Sequence, residues 1–153
     1  MATSKLFLLF RDLFFDLFTI DFTSVGGVPK KVNLNTFNRY DSSDLVLFEN
    51  NQMTLGYNIP LANGTIINTS DKEFSVTNQT DSSVEFTTEL AGMANMKQAY
   101  NLSKGSYAVD YKVTFENINT AVSPNNRYAE LNWNAAIQAQ EKTLKDERVV
   151  TTV

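Results

Sequence analysis

The 153-residue chain carries 13 Lys and Arg residues against 17 Asp and Glu residues, a net charge of −4, and contains neither cysteine nor histidine. A Ser-His-Asp triad, a disulfide and a thiolate metal site are therefore excluded, and the basic stripe that nucleic-acid binding requires is missing. Hydrophobic residues make up 42% of the chain and aromatic residues 12%, which excludes a disordered chain.

The first sixteen residues combine an apolar run, Leu6–Phe10, with charges at Arg11, Asp12 and Asp16. The run is too short and too interrupted for a signal peptide or a membrane span. Its leucines and phenylalanines recur with a helical spacing, which predicts a short amphipathic N-terminal helix. We expect residues 1–16 to be a leader or expression-derived segment, separate from a domain at residues 17–153. A membrane-surface helix is the alternative, which is less favoured because such helices usually carry many basic residues on their polar face.

From Phe18 onward, apolar and polar side chains alternate with a period of two, which predicts half-buried antiparallel strands. The predicted strands of the first half contain Phe18–Phe22, Val32–Leu34, Leu45–Phe48, Leu55–Ile59, Ile66–Ile67, Phe74–Val76 and Val84–Phe86. Turn signals separate them, including Gly26-Gly27, the polar run Asp41–Asp44 and Asn63-Gly64, a pair that tolerates positive φ.

The clearest alternation lies in the second half, after a turn at Lys104-Gly105. One face carries Tyr107, Val109, Tyr111, Val113 and Phe115, and the intervening residues are mostly polar or charged. We expect a strand there with all five residues buried. Another alternating stretch contains Ala129, Leu131 and Trp133. The terminal run Val149–Val153 predicts a further strand and a domain truncated at its C-terminus. Together the pattern predicts an all-β fold, an antiparallel β-sandwich.

Three stretches resemble the periplasmic domain of YidC-type membrane protein insertases, particularly those of Bacteroidetes. They are a Gly-Gly hairpin at Leu17–Phe37, a meander from Leu45–Phe48 to Ile66–Ser70, and the strand region Leu102–Phe115. The likeness extends to Ser123–Trp133, to Gln140–Lys142 and to Glu147-Arg148. The first sixteen residues do not match the family.

The resemblance implies a portion of a β-supersandwich on the periplasmic face of the bacterial inner membrane, in a parent protein with several membrane spans. It further implies a non-catalytic domain that assists the insertion and folding of inner-membrane proteins. The implied partners are accessory subunits of the Sec translocon and nascent membrane proteins, with no nucleic acid and no cofactor. The family's functional groove lies among membrane helices that this sequence lacks, so no groove residue is carried over.

Two groups of acidic residues are candidates for metal ligands or catalytic carboxylates. Asp41 and Asp44 share a turn, but no loop with the ligand spacing of a Ca²⁺ site surrounds them, so side-chain capping of the turn is the favoured interpretation. Glu141, Asp146 and Glu147 alternate with basic residues, which favours a solvated charged surface over a catalytic pair. We therefore expect no catalytic, cofactor-binding or metal-binding residues.

Aromatic side chains offer a different chemistry, because Tyr107, Tyr111, Tyr128 and Trp133 could stack on sugar rings. Core packing is the favoured interpretation for Tyr107 and Tyr111, which share a face with valines. The sequence also holds four N-glycosylation motifs, which matter only in a secretory-pathway host. They begin at Asn63, Asn68, Asn78 and Asn101.

Two functions compete with an insertase domain. A carbohydrate-binding β-sandwich module is the main alternative. An enzyme of the aldose-epimerase type is disfavoured, because its acid-base pair normally includes histidine and this chain has none.

Overall fold

The computed structural model describes residues 9–14, 16–50, 52–123, 125 and 127–143. The described residues form eleven strands and one short 3₁₀ helix, Ile118–Thr120, with no α-helix among them. The strands are β1 (Leu9–Phe14), β2 (Phe18–Thr23), β3 (Val28–Asn38), β4 (Asp44–Phe48), β5 (Met53–Pro60), β6 (Ile66–Asn68), β7 (Ser75–Gln79), β8 (Ser83–Ala91), β9 (Ala94–Leu102), β10 (Val109–Glu116) and β11 (Glu130–Ala135).

These strands build three antiparallel sheets, which confirms the predicted all-β sandwich architecture. Their spatial orders are β1-β2-β3-β4, β7-β8-β9-β10 and β11-β5-β6. Phe22 of β2 contacts Phe86 and Tyr100 of the β7–β10 sheet, with ring centroids 5.5 and 4.9 Å apart. Tyr57 of β5 meets Phe115 of β10 edge-on at 5.9 Å. One face of the β7–β10 sheet therefore packs against both other sheets.

The core lies between these layers, where alternate residues of β2, β8 and β9 point inward. β2 buries Phe18, Ile20 and Phe22, while Thr19, Asp21 and Thr23 are only half-buried. β8 and β9 alternate in the same way over nine residues each. The period-two pattern thus places one face of each strand against the core and the other towards solvent.

The predicted N-terminal helix is wrong over Leu9–Phe14, because these residues form β1 and pair antiparallel with β2. The edge of β2 offers unpaired backbone groups, and pairing with it satisfies the backbone of a short segment more fully than an isolated helix of six residues. A register irregularity between Phe10 and Leu13 interrupts the ladder. The predicted terminal run Val149–Val153 lies outside the described residues.

The predicted strand at 107–116 is confirmed over Val109–Glu116, with no helix in the segment. The expectation that its apolar face is fully buried is wrong. Tyr107 precedes the strand and is 49% exposed, Val109 is 36% exposed, and Tyr111, Val113 and Phe115 are half-buried. The reason is position, because β10 is the last strand of its sheet and nothing in the described part of the chain extends the layer beyond it.

Candidate interaction groove

A buried polar network fixes the Gly26-Gly27 turn against the β7–β10 sheet. The Gln98 Nε2 donates to the Gly26 carbonyl at 2.7 Å, and the Tyr100 hydroxyl donates to the Gly27 carbonyl at 3.0 Å. The Tyr111 hydroxyl donates to Gln98 Oε1 at 2.6 Å. Gly27 has a φ of +63°, and a Cβ there would lie 3.0 Å from the Phe74 ring. The network therefore holds the start of β3, which contributes Pro29 and Val32 to an adjacent groove.

Burial controls the ionisation of the two tyrosines in this network. Desolvation is the largest cause that raises the pKa of Tyr100, and it likewise raises the pKa of Tyr111, with the neighbouring Tyr100 adding to the effect. Both hydroxyls are thus neutral donors throughout the physiological range. Neither is available as a general base, and the Tyr111 proton is committed to Gln98.

An apolar groove of about 400 Å³ opens beside this network, between β10 and β11. Its lining is almost wholly hydrophobic: Ile20, Pro29, Val32, Phe48, Met53, Leu55, Tyr100, Val109, Tyr111, Leu131 and Trp133. The volume falls within the range of about 300–1,000 Å³ that is usual for ligand sites. The groove is therefore large enough to receive several apolar side chains.

The strand register explains why the groove stays open. Leu131 and Trp133 of β11 pair with Tyr57 and Leu55 of β5 and so share the face of β5 that packs on the core. Leu131 is nevertheless 49% exposed and Trp133 is 70% exposed. Within the part of the chain that the structure describes, β10 is the last strand of its sheet. No described strand covers Leu131 and Trp133, which accounts for their exposure.

A second, smaller cavity of about 190 Å³ lies beside the other end of β10. It lies between Phe115 on one side and Tyr128 and Ala129, just before β11, on the other. Val109 and Tyr111 face Leu131 and Trp133 at the first cavity. Both cavities therefore combine residues of β10 with residues of the segment 128–133, namely Tyr128, Ala129, Leu131 and Trp133.

The sequence-predicted aromatic residues divide between core and groove. Tyr107 stacks on Phe18 at 6.0 Å and its hydroxyl bonds to the Thr36 hydroxyl at 3.2 Å, a surface packing role. Tyr111 and Trp133 both line the groove, whereas Tyr128 lies 61% exposed at the smaller cavity. The structure thus brings Tyr111 and Trp133 together and leaves Tyr107 apart from them.

The acidic candidates form no site in the described residues. The Asp41 carboxylate accepts hydrogen bonds from the Ser43 backbone at 3.1 Å and the Ser43 hydroxyl at 2.6 Å, and these bonds lower the pKa of Asp41. Asp44 is exposed at the start of β4 and Glu141 is also exposed, while Asp146 and Glu147 lie outside the described range. No group of three metal-ligating side chains occurs in that range.

The four glycosylation motifs all present an exposed asparagine. The Asn63 and Asn68 side chains are engaged in tight turns, where each Oδ1 accepts from the backbone and hydroxyl of the residue two positions later. Asn78 and Asn101 lie within β7 and β9. The turn-forming role accounts for the first pair without a modification.

Sequence patterns missed most of the groove. Ile20, Val32 and Phe48 were expected in strands, but only the packing of three sheets brings them to one surface. The alternation of Leu131 and Trp133 with Asn132 and Asn134 was a usable signal of a strand with one apolar face. That this face is exposed is shown only by the structure.

The fold and the groove define an all-β sandwich domain with an apolar surface site. The described residues include no helix with the length and hydropathy needed to cross a bilayer. The model of the YidC periplasmic domain family matches residues 15–152, so the chain belongs to that family. It accordingly lies on the periplasmic face of the bacterial inner membrane, and the resemblance drawn from the sequence is confirmed.

Curated relatives carry the same family name. The chain is similar to the membrane protein insertase YidC of Porphyromonas gingivalis strain ATCC 33277, with 28% identity over 130 residues, 84% of the chain and 20% of the relative. The YidC of Parabacteroides distasonis is 25% identical over 138 residues, 89% of the chain and 22% of the relative. The chain thus spans about a fifth of the length of these relatives. No solved structure matches it.

Proposed function

We propose that this chain is a non-catalytic periplasmic domain of a membrane protein insertase, and that it assists insertion by contacting apolar segments of nascent membrane proteins. Family membership supports the insertase context. The observation that supports the contact is the apolar groove, which no other described residue covers, with Leu131 and Trp133 exposed at its rim. Exposed apolar surface of this kind is typical of interaction sites.

The chemistry of the groove favours an apolar polypeptide over a sugar. Sugar sites combine aromatic stacking with several polar groups that bond to hydroxyls, whereas the side chains of this lining offer, besides the Trp133 indole N–H, only the hydroxyls of Tyr100 and Tyr111. Both already donate within the buried network. The exposure of Trp133 is the single feature that favours the carbohydrate-binding alternative.

The same proposal includes contacts with accessory subunits of the Sec translocon, as the family resemblance implies. That residues 17–153 belong to a larger domain stays a prediction. The lack of histidine and cysteine supports an absence of turnover, including mutarotase activity, because it removes the commonest neutral-pH base and the most nucleophilic side chain.

Binding can be followed through Trp133, the only tryptophan of the chain. Its fluorescence should shift to shorter wavelength and resist acrylamide quenching when a soluble peptide that carries an apolar segment of a membrane protein is added. Leu131→Asp should abolish this response, and Leu47→Asp, on β4 outside the groove lining, is the matched control. A response to oligosaccharides with none to apolar peptides would contradict the proposal and support the carbohydrate module.

A further inference from the structure

The turn between β5 and β6 contains the only Asn-Gly pair of the sequence, Asn63-Gly64. The Gly64 N–H donates to the Leu61 carbonyl at 3.1 Å, and the Leu61 N–H donates to the Thr65 carbonyl at 2.8 Å. Gly64 has a φ of +84°, so the loop between the strands ends on a left-handed residue. The backbone therefore favours glycine at position 64, whatever this glycine does to the chemistry of Asn63.

An asparagine side chain can react with the backbone nitrogen of the residue that follows it. Here the Gly64 nitrogen, after its proton is lost to hydroxide, would bond to Asn63 Cγ. The Cγ–Nδ2 bond breaks, and Nδ2 takes a proton from water and leaves as ammonia, which gives a cyclic imide. Glycine favours this attack because it has no Cβ to hinder the approach of its own nitrogen.

Water then opens the imide at either of its two carbonyl groups. Addition at Cγ breaks the new bond and leaves an aspartate at position 63. Addition at the main-chain carbonyl breaks the original peptide bond and leaves an isoaspartate, in which the main chain passes through Cγ. Both routes consume one water and release one ammonia, so no metal, cofactor or oxidant takes part.

Hydrogen bonds within the turn oppose the first step. Asn63 Oδ1 accepts from the Thr65 N–H at 3.0 Å and from the Thr65 hydroxyl at 2.5 Å, which fixes the side chain towards Thr65. The Gly64 N–H is bonded to the Leu61 carbonyl, which opposes loss of its proton. Ring closure must break the Gly64 bond and reorient Asn63. The reaction therefore proceeds from a locally opened turn, and its rate depends on how often the turn opens.

A second turn of the chain has the same side-chain bonds without the reactive neighbour. Asn68 Oδ1 accepts from the Ser70 N–H at 2.8 Å and from the Ser70 hydroxyl at 2.5 Å. The next residue is Thr69, which is branched at Cβ and buried, and its N–H donates to the Tyr57 carbonyl at 3.0 Å. The two asparagines differ in the residue that would attack, so a comparison of them isolates the effect of Gly64.

We propose that Asn63 is a site of spontaneous deamidation, that Thr65 restrains its rate, and that the isoaspartate product weakens the attachment of β6 to β5. The proposal is independent of the groove and of the proposed function. It concerns a covalent change that the chain makes to itself with water alone.

The two products have different consequences for the fold. An aspartate keeps both acceptor bonds to Thr65 and makes them charge-assisted, so the turn is retained. An isoaspartate adds one atom to the main chain of a short loop and shifts the two strands relative to each other. β6 has three residues, Ile66–Asn68, and β5 is its only neighbour among the described strands. The buried Ile59, which lies opposite Ile67, would lose part of its cover.

Peptide mapping by mass spectrometry, after incubation of the folded chain at mildly alkaline pH, tests the site and its restraint. We expect conversion at Asn63 and none at Asn68. Thr65→Ala should raise the rate at Asn63 by about two- to tenfold, the factor that one net hydrogen bond of about 0.5–1.5 kcal/mol represents. Thr65→Ser, which keeps the hydroxyl, is the matched control and should leave the rate unchanged. Melting temperatures establish that both variants are folded.

The consequence for β6 is tested on the aged protein after chromatographic separation of its products. The isoaspartate fraction should melt at least about 2–4 °C below the parent chain, whereas Asn63→Asp should melt with the parent or above it.

Three results would overturn the proposal. Conversion at Asn63 no faster than at Asn68 would remove the site. A slower reaction in Thr65→Ala would show that the hydroxyl promotes the attack by bonding to the developing oxyanion at Oδ1, which contradicts a restraint. An isoaspartate fraction that melts with the parent would refute the effect on β6.

Discussion

Replacement of Gln98 by leucine is the sharpest test of how this fold holds the groove. Gln98 is 2% exposed, donates to the Gly26 carbonyl at 2.7 Å and accepts from the Tyr111 hydroxyl at 2.6 Å. Leucine nearly preserves the volume but leaves both partners without their bonds to the amide. Each buried polar group left unsatisfied costs about 1–3 kcal/mol, and the added apolar burial offsets roughly 1 kcal/mol, so we expect a loss of roughly 2–4 kcal/mol in the free energy of unfolding.

Urea denaturation of Gln98→Leu, Tyr111→Phe and the double variant measures this loss and its coupling. Tyr111→Phe alone should cost about 1 kcal/mol, since it removes one hydrogen bond. The double variant should be more stable than additivity predicts by about 0.5–3 kcal/mol, because the two residues share that bond. Asn101→Leu, a similar change from an amide to leucine at an exposed position of β9, is the control and should stay within about 0.5 kcal/mol of the parent. Strict additivity, or a Gln98→Leu loss as small as that of the control, would refute the network as described.

Three further predictions concern the turn, the tyrosines and the rim. Gly27→Ala should lower the free energy of unfolding by roughly 1–3 kcal/mol more than Gly64→Ala does. Both glycines have positive φ, but of the two only Gly27 has neighbours within 4 Å of an added Cβ. Equal losses in urea titrations would contradict this. The folded-state pKa values of Tyr100 and Tyr111 are raised above the ordinary value of 10. The contribution of these two tyrosines to stability should therefore be fully present below pH 10 and be lost above it, because the unfolded chain ionises there and the folded chain does not. The Tyr100→Phe/Tyr111→Phe variant should show a shallower alkaline decline in unfolding titrations at pH 9 to 11, and an identical slope would exclude the effect. Trp133→Ala should change the free energy of unfolding by less than about 1 kcal/mol and abolish peptide binding measured by calorimetry. Phe86→Ala, in the core, should cost about 3–5 kcal/mol. A large loss for Trp133→Ala would place that side chain in the core.

Local patterns were sufficient for most strands and turns. The alternation from Phe18 to Phe22 identified β2 and its buried face, and the pair Asn63-Gly64 marked the turn between β5 and β6, where Gly64 has a φ of +84°. Both signals depend on neighbouring residues alone, which explains why sequence reasoning captured them. The strand assignment of 109–116 succeeded for the same reason.

Signals that depend on tertiary partners were missed. The extent of β9 was not predicted, because its buried face includes the polar Gln98, whose burial depends on the distant Gly26 carbonyl. The spacing of residues 9–14 is compatible with a helix, and only the available edge of β2 makes them a strand. The exposure of Val109 follows from the absence of a neighbour beyond β10 in the described residues, a property of the sheet that the strand's own sequence does not carry.

Site-specific photo-crosslinking in a membrane-embedded insertase that carries this domain tests the central claim most directly. A photoreactive amino acid at Leu131, on the rim of the groove, should crosslink to a membrane protein arrested during insertion, and one at Asn63, in the exposed turn after β5, should not. Equal crosslinking from Leu131 and Asn63, or none from Leu131 while the insertase is engaged with its client, would contradict a client-binding groove.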